Sequence, residues 1–163
     1  MLAAFLTLQG LVVLFIALHD WIPLGRFNDM QGLREADTPG KLAVVTVLST
    51  LPFAIGLAAS LRYAASGFPT WLSWELWASY GAASYGVLRT WWLPYLLGGD
   101  PVRAARYRVR FARAHAFLPM RNGIRPDTLH VCFHIVLAAA VILLVLLTFT
   151  GSGFVVRGAP SAP

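Results

Sequence analysis

The chain has 163 residues, 58% of them hydrophobic and only 12% charged, with a mean hydropathy of +0.66. Soluble domains carry about a quarter charged residues, and so short a chain has too much surface to absorb the shortfall in its core, so an ordinary soluble domain is excluded. The net charge of +6 is nearly all arginine, with Lys41 the sole lysine, and it sits in loops beside apolar runs; this ties it to membrane topology rather than to nucleic acid.

The first predicted element covers residues 1–19. Met1 to Leu18 holds no charged side chain. It lacks a basic leader and a small-residue cleavage site before Asp20, so it reads as a retained span rather than a signal peptide. Pro23 and Gly25 then predict a turn close to the membrane, which could press Asn28 and Asp29 against the pair His130 and His134. The second span covers 42–61, with Pro52 placed to kink it and to free a carbonyl near Leu48. The third covers 71–93 and is apolar apart from Glu75 and Arg89.

Gly98-Gly99 ends the third span, and Asp100-Pro101 is a strong helix start. A helix from Pro101 to about Phe117 would set Arg103, Arg106, Arg110 and Arg113 on one face. Tyr107, Phe111, Ala114 and Leu118 would form an apolar stripe beside them. That pattern predicts an interfacial helix on anionic inner-leaflet lipids. An arginine pocket for a phosphorylated or anionic ligand is the sharper alternative. The fourth span, 128–150, carries no charge.

Each run has about the 20 residues that a helix needs to cross the hydrocarbon layer. The predicted class is therefore all-α: one domain, an integral membrane bundle of four transmembrane helices plus the basic interfacial helix. Small residues at four-residue spacing (Ala78, Ala82 and Gly86; Gly56 and Ser60) would allow close packing. Inner loops 20–41 and 98–127 carry ten Arg and Lys, against Arg62 and Arg157 on the other side. The positive-inside rule places these loops in the cytoplasm and both termini outside, in a cell membrane. Tryptophans at the ends of the third span read as an interfacial belt.

This topology gathers His19, Arg89, His130 and His134 into one layer near the inner surface, with Asp20, Asn28, Asp29 and Asp127 in the flanking loops. Ionisable groups in spans raise a functional hypothesis. Three readings follow. His130 and His134, one turn apart, with His19 as a third ligand, could hold a metal or a b-type haem. Arg89, His134 and the kinked second helix could line a pocket for a small molecule. In the structural reading the histidines sit at the interface, Asp127 caps the fourth helix and Arg89 snorkels to the headgroups. Cys132 reads as a small buried hydrophobe.

Leu51-Pro52-Phe53 and Arg125-Pro126-Asp127-Thr128-Leu129-His130 resemble stretches of the EXPERA group of four-helix membrane proteins, which includes sterol isomerases. The resemblance implies a sterol-like or lipid-like ligand. The acid those proteins carry in the second span is missing from 42–61, so no functional residue is carried across. The expected function is a non-enzymatic small-molecule-binding, transport-accessory or interaction module. The alternative is a membrane enzyme or redox protein with a histidine site. The bilayer and its anionic lipids are the expected partners, self-association is an open alternative, and no nucleic acid is expected.

Overall fold

A computed structural model describes residues 1–150, so Arg157 and the C-terminus, assigned above to the outer side, lie outside the described residues. The described chain is helical. It runs through α1 (Leu2–Leu18), α2 (Met30–Ala36), α3 (Pro39–Tyr63), α4 (Thr70–Val87), α5 (Leu93–Leu97), α6 (Pro101–Arg110) and α7 (Thr128–Thr150). A π turn, Leu88–Trp92, joins α4 to α5.

Local chemistry sets the boundaries. The Thr38 hydroxyl accepts from Lys41 N and Pro39 occupies the first turn of α3, while Asp100 accepts from Arg103 N ahead of Pro101 in α6; both are caps in which a side chain satisfies an orphan amide. Gly98 and Gly99 end α5 with φ of 77° and 86°, a region glycine enters without steric cost. Pro52 lies inside an uninterrupted α3.

The helix after Asp100 stops at Arg110 rather than near Phe117, because partners outside it capture the next backbone groups. Arg113 N donates to Asp29 Oδ2 at 2.9 Å, and His115 N donates to the Arg26 carbonyl at 2.7 Å. These bonds pull the chain out of helical register and fasten it to the first loop.

α1 packs against α3 and α7, and α4 packs against the same two helices. Phe5, Val12, Phe53, Leu72, Leu76, Tyr80, Leu137 and Leu144 fill the space between them. Gln9 and Ser60 are buried there too, joined at 3.1 Å. The outward faces are apolar: Leu48, Trp74 and Phe149 are 67%, 73% and 84% exposed. By length and composition α3 and α7 can cross a membrane; α1 is apolar but shorter, at 17 residues.

Trp91 and Tyr95, expected in an interfacial belt, turn inward instead. They are buried with Ala104 and Ile124 in a second small core. α6 and the segment after it fold back over the end of α4, and the stripe expected to meet lipid meets Trp91 instead, with ring centres 4.6 Å from Tyr107 and 5.1 Å from Phe111.

Candidate functional site: a histidine-lined cavity beneath an arginine clasp

The π turn is where the site begins. Pro94 has no amide hydrogen, so it cannot close the helical bond to the Thr90 carbonyl. The backbone widens instead, and the Tyr107 hydroxyl donates to that carbonyl at 3.2 Å. π turns shift the register of the side chains that follow; here Trp91 is left buried, facing α7.

The start of α7 supplies two histidines. Asp127 is buried and caps the helix by accepting from His130 N at 3.0 Å, and its other oxygen lies 2.7 Å from His130 Nδ1. Burial opposes ionisation of Asp127, but the bonds from His130 outweigh it and hold the carboxyl below its ordinary range. A carboxylate on one ring nitrogen fixes the tautomer and leaves Nε2 as the working atom. His130 touches Trp91 (ring centres 4.7 Å), Phe111 (5.2 Å) and His19 (5.4 Å). His134, one turn on, is 7% exposed, and its Nδ1 has no hydrogen-bond partner.

A cavity of about 440 Å³ opens between the helices at this level. α1 contributes Phe15 and His19, α3 contributes Ser49, Pro52 and Phe53, α4 contributes Ser79, Ala83 and Gly86, and His130, Phe133 and His134 come from α7. One end carries three imidazoles and Trp91; most of the remaining wall is apolar. Ser79 at the far side donates to Glu75 Oε1 at 2.8 Å. Glu75 lies against α3 at Gly56: a Cβ there would come 2.6 Å from its Oε2, so the carboxyl group would have to move aside.

Beside the cavity, loops 20–41 and 98–127 are clasped by ion pairs. Arg110 joins Asp37 and Asp20, reaching the latter at 2.9 Å. Arg106 donates to both Asp37 oxygens at 2.7 and 2.8 Å, and Lys41 adds a third cation at 2.6 Å. Arg113 binds Asp29 at 3.0 Å. Burial disfavours the charge on Asp37, yet the bonds from Lys41 and Arg106 and the nearby Arg110 bring its carboxyl down to about 2. Burial likewise opposes the charge on Asp29, but its backbone bonds from Gly32 and Arg113 and the Arg113 side chain hold it low. Arg103 binds Asp100 within α6.

No family model, curated protein or solved structure matches this chain. Its function has to be argued from the site itself.

The residues singled out in the sequence fall into separate roles. His19, His130 and His134 come together on the cavity. His19 has both ring nitrogens engaged, by the Phe15 carbonyl at 2.8 Å and Asp20 at 3.2 Å. Among the described residues no group of three or more His, Cys, Asp or Glu is arranged to hold a metal ion, so these donors do not favour the ligation reading. Asn28 is absorbed by the turn it closes: it donates to the His19 and Ile22 carbonyls and accepts from Leu24 N. Asp29 caps α2 and anchors Arg113. Arg89 is exposed, away from the cavity wall, and its charge reaches Asp100. Arg106, Arg110 and Arg113, expected on lipid, turn to the carboxylates of the first loop. Cys132 is exposed rather than buried.

Sequence reasoning missed Asp37, Trp91 and Phe15. Asp37 directly precedes the Thr38-Pro39 helix start, so it reads as ordinary cap chemistry. The one available signal for Trp91 was Pro94, three residues on, which forces a break in the ladder just where Trp91 must turn.

Proposed function

We propose that α1, α3, the α4–π–α5 segment and α7 all cross the membrane as a four-span bundle, with loops 20–41 and 98–127 cytoplasmic. The apolar outward faces support this, as does the enclosed Gln9–Ser60 pair, since polar groups gather inside a bundle when the surroundings are lipid. The charge asymmetry supports the direction.

In this reading the protein is a non-enzymatic binder of a small, mostly apolar molecule. The observation that carries it is the 440 Å³ cavity, apolar along most of its wall, with His19, His130 and His134 together among its lining residues. Cavities of this size suit a drug-sized ligand, and a few converging polar groups in an apolar wall fix its orientation. The test uses purified full-length chain and 1-dodecanol, an apolar body with one polar end, followed by tryptophan fluorescence. Saturable binding is expected. Gly86 lines the cavity and a Cβ on it meets nothing within 4 Å, so the side chain of Gly86→Leu starts in open space and should take up cavity volume, weakening binding about tenfold, roughly the worth of the displaced apolar contacts. Unchanged binding in that variant would remove the cavity from consideration.

A second reading is a membrane enzyme with His130 as general base. The buried Asp127 orienting its imidazole favours it. The two readings part on whether a bound compound is recovered unchanged.

A further inference from the structure

A second cleft adjoins the cavity on the loop side. Its volume is about 380 Å³, and Arg103, Arg106, Tyr107 and Arg110 line it. It shares two residues, Trp91 and His130, with the inter-helix cavity. One space is mainly apolar and the other basic, and these two side chains stand between them.

The basic groups of this cleft are only partly satisfied. Arg103 engages Asp100 through Nε at 2.8 Å and has a further bond with Tyr107. Arg106 engages Asp37 through Nη2. A guanidinium has five N–H donors, so both arginines keep donors in hand. His130 has Nδ1 committed to Asp127 and Nε2 uncommitted. The acids that face these groups are Asp100, Asp37 and, through Arg110, Asp20. They neutralise charge, but they do not use up the donors. Spare guanidinium donors beside an imidazole suit an anion with several oxygens at tetrahedral spacing, which is a phosphate.

We propose that the ligand is an amphiphile bearing a phosphate monoester. Its apolar body lies in the inter-helix cavity, and its phosphate oxygens meet Arg103, Arg106 and His130 Nε2 in the cleft. Nε2 either accepts from a P–OH or, once protonated, donates to an oxygen. Trp91 marks the boundary between body and head. This assignment rests on the cavity reading above and adds the chemical class of the head.

The experiment titrates the full-length chain, held in a phosphate-free maltoside detergent, with dodecyl phosphate, 1-dodecanol and inorganic phosphate. Dodecyl phosphate should bind about 100-fold more tightly than dodecanol, as two charge-assisted bonds imply. Arg103→Gln and Arg106→Gln should each remove about tenfold of that gain, with dodecanol binding unchanged. Arg103→Gln loses only the local bonds to Asp100 and Tyr107, so it carries the test if Arg106→Gln fails to fold. Arg34→Gln removes an exposed charge outside the cleft and should change nothing; an equal loss there would reduce the effect to surface charge and overturn the proposal. Equal binding of dodecyl phosphate and dodecanol would overturn the phosphate site while leaving the cavity reading intact. No binding of either would overturn both. Inorganic phosphate binding as tightly as dodecyl phosphate would make the cleft a free-anion site and overturn the lipid assignment.

Discussion

The Nδ1 atom of His130 lies 2.7 Å from Asp127 Oδ2, three residues earlier and at the helix start. The same carboxylate caps α7 and sets the imidazole, so the two functions can be separated by substitution. In Asp127→Asn the amide oxygen can still accept from His130 N, which keeps most of the cap. The imidazole loses its anionic partner. We predict that nitrogen NMR of the ring shows the Nδ1–H tautomer in the parent chain and a mixture in the variant. Identical ring spectra would break the link between Asp127 and the tautomer.

Asp37 supplies a pH prediction. Its carboxyl sits at about 2, against an ordinary value of 3.8. A depressed folded value stabilises the fold above the unfolded value, and the benefit is lost as pH falls through the folded one. Asp37→Asn should therefore cost about 2 kcal/mol at neutral pH, and the gap to the parent should close between pH 4 and 2. Thermal unfolding midpoints at several pH values would measure it. A gap of constant size would show that the ion pairs are not its source.

Gly32 is where α2 meets α6. A Cβ on it would collide with the Val109 carbonyl oxygen, a backbone atom that cannot rotate aside. Gly32→Ala should force the two helices apart and cost about 2 kcal/mol, in the range of overpacking. The readout is the unfolding midpoint, with the Asp29–Arg113 pair expected to weaken alongside it. A neutral result would mean that the clasp tolerates movement.

Sidedness can be read with thiol probes once Cys132 is replaced by alanine. Lys41→Cys, at the start of α3, should react with an impermeant reagent only from the cytoplasmic side. Arg62→Cys, near the other end of the same helix, should react only from outside. Labelling of both from one side would end the proposal that α3 spans the bilayer.

The long helices were legible because apolar runs and their charged borders need no tertiary knowledge. The expected 42–61 and 128–150 correspond to Pro39–Tyr63 and Thr128–Thr150. The gathering of His19, His130 and His134 followed from helix direction alone. The fate of the arginines was hidden, because a basic amphipathic face looks the same whether it meets lipid phosphates or Asp20, Asp29 and Asp37. Those acids lie 69 to 90 positions away from their partners, and pairing at that range leaves no periodic trace. Trp91 was hidden for a related reason: its burial depends on a π turn and on a segment folding back over it.

The clasp also has a consequence for biogenesis. When the first hairpin of α1 and α3 leaves the ribosome, loop 20–41 exposes Asp20, Asp29 and Asp37, while Arg106, Arg110 and Arg113 have yet to be made. Of the three cations that engage Asp37, Lys41 alone has been made at that stage. Synthesis of the second half then delivers the missing cations to a waiting acidic latch, and the His130 end of α7 follows within 20 residues. In the proposed four-span arrangement, insertion and site assembly would in this way be separated in time. A chain halted before residue 100 would hold its first helices in place while the latch stood open.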